Sequence, residues 1–375
     1  MDAVIPRLIG KYVIGTEIGK GTFSRVMLAC TKESKDMMCV KIINKSKVIL
    51  QKEHIQLQRE VNILLSIYHP NVVRLYEVIE DDDNYYFIME YCQGQSLLDL
   101  INKTKGLDDT TCRVIFRQLI WVLDYLHTKG IFHRDIKPDN IIVDAKLGIK
   151  LIDFGFSTIT LPNTLLQTFC GSLQYVSPEC LLKKAYYGSS SDVWSAGVVL
   201  YTMATGKYPW KEGTNAGIMN SIINCNYRIP HKVCKTCASV IKSILVAEPS
   251  YRPSAKDLLS SVYLQGLPVL PNLAEPVKKE SRFLSQSFKQ AGPIKKWKSD
   301  QQSHTQKVMS SHIPLQYCTF TDSSSSCVSD SLNTAPQPDL DALLDSLPGK
   351  KRRRSTFVLL TSPEEESESK ISPIC

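Results

Sequence analysis

No stretch of about eighteen uncharged apolar residues occurs in the 375-residue chain, so nothing in it reads as a membrane-spanning helix. A basic-then-apolar secretion signal is also missing from the N-terminus. Residue 2 is Asp2 rather than glycine, and Cys375 is terminal rather than fourth from the end. Neither myristoylation nor prenylation is therefore indicated. The twelve cysteines show no pairing rhythm, which excludes a disulfide scaffold and points to reduced thiols. Cys234 and Cys237 form a close pair without a second such pair, so an ordinary place in a helix is expected there rather than zinc or redox chemistry. These absences give an expected location in the cytoplasm, with the nucleus as the alternative, and no membrane partner.

What is present is an ordinary globular composition, 43% hydrophobic and 22% charged. The length leaves room for one large domain and about a hundred further residues. Composition changes near Gly266. Residues 265–375 hold ten of the 19 prolines, the run Ser323–Ser326 and no sustained period, which predicts a disordered tail. Lys350–Arg354 is a dense cation run ahead of Ser355 and Thr356. It reads as a nuclear-import signal, a patch for an acidic partner or a solvated linker. Residues 282–298 have the aromatics and lysines of a calmodulin target, but Pro293 would interrupt the helix, so calmodulin is not expected. The net charge of +8 comes partly from these clusters, and no nucleic-acid partner is inferred.

The most specific feature is His133-Arg134-Asp135-Ile136-Lys137-Pro138-Asp139-Asn140, followed by Asp153-Phe154-Gly155. Two carboxylates, an amine and an amide lie in one short stretch. Phosphoryl transfer from a magnesium nucleotide needs such a set: an acid to orient the attacking hydroxyl and accept its proton, a cation to steady the moving phosphate, and an amide and a second acid to hold the metal. Upstream, an alternating segment from Lys11 to Ile18 runs into Gly19-Lys20-Gly21-Thr22-Phe23-Ser24-Arg25-Val26. Glycines let backbone approach phosphate oxygens closely; alone, the run is also compatible with a simple β-turn. Cys39-Val40-Lys41 follows, and Glu60 lies in a helical-looking stretch, Lys52–Leu65.

Together these residues resemble the eukaryotic protein kinases over residues 12–264. The resemblance implies an α+β, bilobal protein-kinase fold with a small β-rich N-lobe (12–89) carrying the family's αC helix, a hinge (90–94) and a larger α-helical C-lobe (95–264). It implies ATP and Mg2+ as cofactors. Lys41 would reach the α- and β-phosphates and pair with Glu60. Ile18 and the 19–26 hairpin would cover the nucleotide. Met89 would be the gatekeeper, with the backbones of Glu90 and Cys92 meeting the adenine edge and Ile142 beneath it. Asn140 and Asp153 would hold the metal, and Asp135 and Lys137 would serve the transfer. Leu64, Leu75, His133 and Phe154 match the apolar column that links the lobes, and Asp192 the anchor of the catalytic-loop backbone. Glu179 would pair with Arg252 in a partly buried contact. A strand is expected over Asn71–Glu80, and a helix from about Thr110 to Lys129.

Three positions depart from the family pattern, and one of them is Ser177, in place of the usual alanine before Pro178-Glu179. Ser24 replaces a glycine and can close the hairpin provided its φ is not positive. Cys39 replaces an alanine and is expected to face the adenine. Lys137, with Ser172 bridging it to Asp135, is similar to the serine/threonine-specific members, especially AMP-activated-kinase relatives in the calcium/calmodulin-dependent group. The implied partners are proteins with Ser or Thr acceptors and an upstream activating kinase acting at Thr168, with Thr164 second. The alternative is a pseudokinase scaffold that binds partners without catalysis.

Overall fold

The computed structural model describes residues 7–267, apart from 22, 23, 32, 34, 35, 49, 50, 162, 163, 169 and 212. Expectations for the tail, including Lys350–Arg354, lie outside the described residues, as do Thr22 and Phe23. Among the described residues no helix is long and apolar enough to cross a membrane.

The N-lobe begins with β1 (Arg7–Ile9), β2 (Tyr12–Lys20), β3 (Ser24–Thr31) and β4 (Met37–Asn44). Helix α1 (Gln51–Ser66) then interrupts the strands, and β5 (Leu75–Glu80) and β6 (Asn84–Glu90) complete an antiparallel six-stranded sheet of order β1-β2-β3-β4-β6-β5. Period-2 alternation gives the sheet two faces. Ile14, Ala29, Val40, Tyr86 and Ile88 close one of them, while Ile43, Phe87 and Met89 join the main core with α1.

β5 starts at Leu75 rather than Asn71. Apolar alternation continues through Val72 and Val73, but their backbone pairs elsewhere: Val73 N–H donates to Leu151 O (3.0 Å) and Leu151 N–H to Asn71 O (2.8 Å). The buried Asn71 amide also donates to Gln118 Oε1 (3.0 Å) and Ile149 O (2.9 Å). The residues expected to open a strand instead stitch the N-lobe to the C-lobe.

The C-lobe opens with β7 (Gln95–Ser96) and α2 (Leu97–Thr104), whose N-terminus is capped by the Ser96 hydroxyl. Helix α3 (Asp109–Thr128) is capped by Asp108 and buries Ile115, Leu119, Val122, Leu123 and Leu126 on one face. Short strands β8 (Ile131–Phe132), β9 (Ile141–Val143), β10 (Ile149–Leu151) and β11 (Thr158–Ile159) flank the loops that hold Asp135 and Asp153. Helix α4 (Pro178–Leu181) precedes α5 (Gly188–Thr205), which is buried almost all round, as a central helix must be when neighbours cover every face. Then α6 (Asn215–Ile223), α7 (Lys235–Ile244) and α8 (Ala255–Leu259) complete the lobe. Cys234 caps α7, accepting from Cys237 N–H and donating its thiol proton to Asp109 Oδ1 at 2.9 Å.

Candidate active site

Asp135 follows β8 on a loop whose shape is imposed from beneath. The buried Asp192 carboxylate, on α5, accepts the backbone N–H groups of His133 (2.9 Å) and Arg134 (2.8 Å). Arg134 is thereby held at φ 66°, a left-handed conformation costing roughly 1–2 kcal/mol for a residue with a Cβ. That turn directs Asp135 upward. Its carboxylate sits 2.8 Å from Lys137 Nζ and accepts from Ser172 Oγ at 3.3 Å, while Lys137 donates to Ser172 Oγ at 3.1 Å. Acid, cation and hydroxyl thus form a triangle. Gly171 permits it: at φ 97°, a Cβ there would lie 2.9 Å from Arg134 O.

Asn140 donates its amide to Asp135 O (2.9 Å) and Oδ2 (3.1 Å), which leaves the amide oxygen for a metal. Asp153 is again left-handed, at φ 60°, with its half-exposed carboxylate 3.6 Å from Lys41 Nζ. Burial opposes its ionisation and is the largest single influence, but Lys41, His133, the Gly155 N–H and Lys137 together outweigh it, and the carboxyl is held below the usual carboxylate range. Lys41 lies on β4 and pairs with Glu60 of α1 at 2.7 Å. Burial works against the ammonium charge; Glu60 and Asp153 more than compensate and hold it above the ordinary lysine range. The donor set therefore fits a magnesium nucleotide: an ionised carboxylate and an amide oxygen for the metal, and a permanently charged lysine for phosphate.

Above the site, Gly21 N–H donates to Ser24 O at 2.8 Å and closes the hairpin. Ser24 is not among the positive-φ residues, so the condition for a serine at this position is met. A Cβ on Gly21 would meet Ser24 Oγ at 2.8 Å, so a larger residue at 21 would require the serine side chain to turn away. Lys20, Arg25 and Val26 flank this closure on the paired strands, with Gly19 opposite Val26 and Lys20 opposite Arg25. Ile18 is half exposed.

At the rear, buried Met89 lies opposite Cys39 in the β4–β6 register. The Cys39 thiol donates to Glu90 O at 3.3 Å, the hinge carbonyl itself, and burial pushes its pKa up to about 11. Cys92 approaches the same oxygen at 3.8 Å. Glu90 N–H is already bonded to Arg74 O (2.9 Å), so of the Glu90 backbone only the carbonyl is left for a base edge. Ile142 lies on β9 opposite Ser96 and Lys150. Leu64, Leu75, His133 and Phe154 are all buried in the main core, and the His133 and Phe154 rings meet edge-on at 4.8 Å.

Some contacts had no reading in the sequence. Gln56 donates to Gly155 O (2.6 Å) and ties α1 to the Asp153 turn; its place four residues before Glu60, on the same helix face, was the available signal. Lys150 pairs with Glu90 at 2.6 Å, which pins the hinge to β10, and nothing local announces it. The Glu179–Arg252 pair is fully buried rather than partly so, because α4, α5 and the turn at Pro249–Tyr251 close over it.

Residues 12–264 match the protein kinase domain family. The chain belongs to the protein kinase family. It is 39% identical over 258 residues to the probable serine/threonine-protein kinase MARK-A of Dictyostelium discoideum, a match covering 68% of this chain and 24% of that protein. It is 37% identical over 250 residues to CBL-interacting serine/threonine-protein kinase 8 of Arabidopsis thaliana, covering 66% and 56% respectively. For CBL-interacting protein kinase 11 of Oryza sativa subsp. japonica the identity is 35% over 259 residues, covering 68% and 52%. The chain thus spans between about a quarter and about half the length of these curated relatives.

Proposed function

We propose that this kinase-family chain is an ATP-dependent serine/threonine protein kinase, transferring the γ-phosphoryl group of ATP to Ser or Thr hydroxyls of protein substrates. The Asp135–Lys137–Ser172 triangle, beside the Lys41–Glu60 pair, carries the reading. Asp135 orients the acceptor hydroxyl and takes its proton, while Lys137 neutralises charge on the phosphoryl group in flight. Lys41, steadied by Glu60, binds the α- and β-phosphates, and the hairpin backbone covers them. Magnesium held by Asp153 and Asn140 supplies charge neutralisation on the phosphate oxygens. Incubating the full chain with labelled ATP, Mg2+ and a degenerate peptide library tests the proposal. Label on Ser and Thr peptides supports it, and label confined to Tyr peptides or absent would refute it.

Control by phosphate at Thr168 is part of this proposal. The Arg134 guanidinium donates to both Thr168 Oγ1 (2.6 Å) and Thr168 O (2.8 Å), and Tyr186 OH donates to the same carbonyl at 3.0 Å. An exposed hydroxyl already lies on a cation that adjoins Asp135. Phosphate there would bring nearly two negative charges to Arg134 and strengthen that tie between activation segment and catalytic loop. Thr168→Ala is expected to lower activity at least about tenfold, roughly 1.4 kcal/mol of transition-state stabilisation. Mass spectrometry of active enzyme should find the phosphate on Thr168. Full activity from enzyme lacking phosphate at both Thr164 and Thr168 would refute the control. We also propose a cytoplasmic location with nuclear entry through Lys350–Arg354; alanine at those five positions should exclude a fluorescent fusion from the nucleus.

A further inference from the structure

Cys39 stands two residues before Lys41 on β4, so period-2 alternation puts both side chains on the same face of the sheet. Its register partners are Leu28 on β3 and Met89 on β6, the residue just before the hinge. From there its thiol donates to Glu90 O at 3.3 Å, and Cys92 Sγ comes within 3.8 Å of the same oxygen. Burial pushes Cys39 up to about 11 and Cys92 up to about 12. Both thiols therefore keep their protons at neutral pH, so each is a donor and neither carries charge.

The oxygen they reach is held in place. Glu90 N–H is bonded to Arg74 O at 2.9 Å, and the Glu90 carboxylate accepts from Arg74 N–H at 3.2 Å while pairing with Lys150 at 2.6 Å. The Glu90 carbonyl is thus a fixed acceptor already supplied with protein donors. Adenine offers it the 6-amino group, which must displace a thiol proton or share the oxygen with it. A purine without that group costs the pocket little, because the thiols keep the carbonyl paired. With no donor at position 39, the same purine would leave the carbonyl short of a partner, and discrimination against it would grow.

We propose that the Cys39 thiol sets the base preference of the nucleotide pocket, competing with the 6-amino group for Glu90 O and widening acceptance to purine nucleoside triphosphates that lack it. The proposal rests on the nucleotide-binding reading of this site and names Cys39 as the residue that tunes it.

Titration calorimetry of the full chain with Mg2+ and either ATP or purine riboside 5′-triphosphate, which carries hydrogen in place of the amino group, tests it without reference to turnover. The unaltered chain is expected to favour ATP by less than about twofold, and Cys39→Ala by about tenfold. Cys39→Val removes the donor but keeps the bulk, and should match Cys39→Ala. Cys39→Ser keeps a donor and should match the unaltered chain. If both nucleotides bind and the ratio in Cys39→Ala and Cys39→Val stays within about twofold of the unaltered chain, the proposal is overturned and the phosphotransfer reading stands. Parallel gains or losses for both nucleotides would show crowding by the sulfur instead of competition for the carbonyl, and would overturn it equally. Absence of binding by both nucleotides to every form would overturn the phosphotransfer reading, and this proposal with it.

Discussion

Asp135→Asn is expected to reduce phosphoryl transfer by about 10²–10⁴-fold while ATP affinity changes little, the range typical of losing a positioned general base. The reason is geometric. The Asp135 carboxylate is buried, and it is held by Lys137 at 2.8 Å, Ser172 at 3.3 Å and the Asn140 amide at 3.1 Å. Asparagine keeps the shape but removes the negative charge and the proton-accepting oxygen, so the acceptor hydroxyl is neither aligned nor deprotonated. The nucleotide contacts proposed for Lys41, the hairpin and the hinge lie on other elements and remain. Steady-state kinetics on a protein substrate, paired with a nucleotide titration, separate the two effects. Near-normal turnover by the variant would show that another group accepts the proton, and a parallel loss of ATP affinity would show that Asp135 acts on binding instead.

Arg252→Met is expected to cost about 3–5 kcal/mol of stability, the scale for removing one partner of a buried ion pair. Arg252 meets Glu179 through two parallel hydrogen bonds of 2.7 Å and donates further to Val246 O, Ala247 O and Ser190 O. Its guanidinium also lies 4.8 Å from the Trp194 ring centroid. Removing it leaves the Glu179 carboxylate buried and uncompensated, along with three carbonyls. At about 2–4 °C per kcal/mol for a domain of this size, the midpoint of thermal unfolding should fall by about 10 °C. Glu179→Leu should be similarly costly, and the double variant should recover much of the loss, since apolar packing replaces both charges at once. A shift below about 2 °C for Arg252→Met, measured by calorimetry, would mean that the pair contributes little. The pair secures α4, the exit from the activation segment, so partial unfolding there should also expose the Thr168 region to protease.

The sequence reading and the structure agree where the residues concerned are contiguous. His133–Asn140 and Asp153–Gly155 are loops in which a few bonds separate the chemically active groups, so order along the chain nearly dictates order in space. Lys41 and Glu60 were legible through the resemblance to the family, since Glu60 alone reads as a solvated helix charge, and the structure brings them to 2.7 Å. Helix α3 was legible from its single apolar face.

Failure came where two partners competed for the same backbone. Asn71–Arg74 alternates like a strand, yet Val73 N–H pairs with Leu151 O and Asn71 O with Leu151 N–H, while Arg74 O accepts from Glu90 N–H of β6. Periodicity reports which face is apolar and is silent on which edge supplies the hydrogen bonds.

By itself, then, the sequence determined the family over residues 12–264 and the order of the charged groups between His133 and Gly155, since these depend on residue type and short spacing. Tertiary structure alone decided other contacts that join distant segments: Glu90 with Lys150, Asn71 with Gln118, and the full burial of Glu179 with Arg252. The Asn71–Gln118 and Glu179–Arg252 contacts are buried, and their energy depends on excluding water from both partners. Desolvation is a property of the packed lobes, and no local pattern of residues carries it.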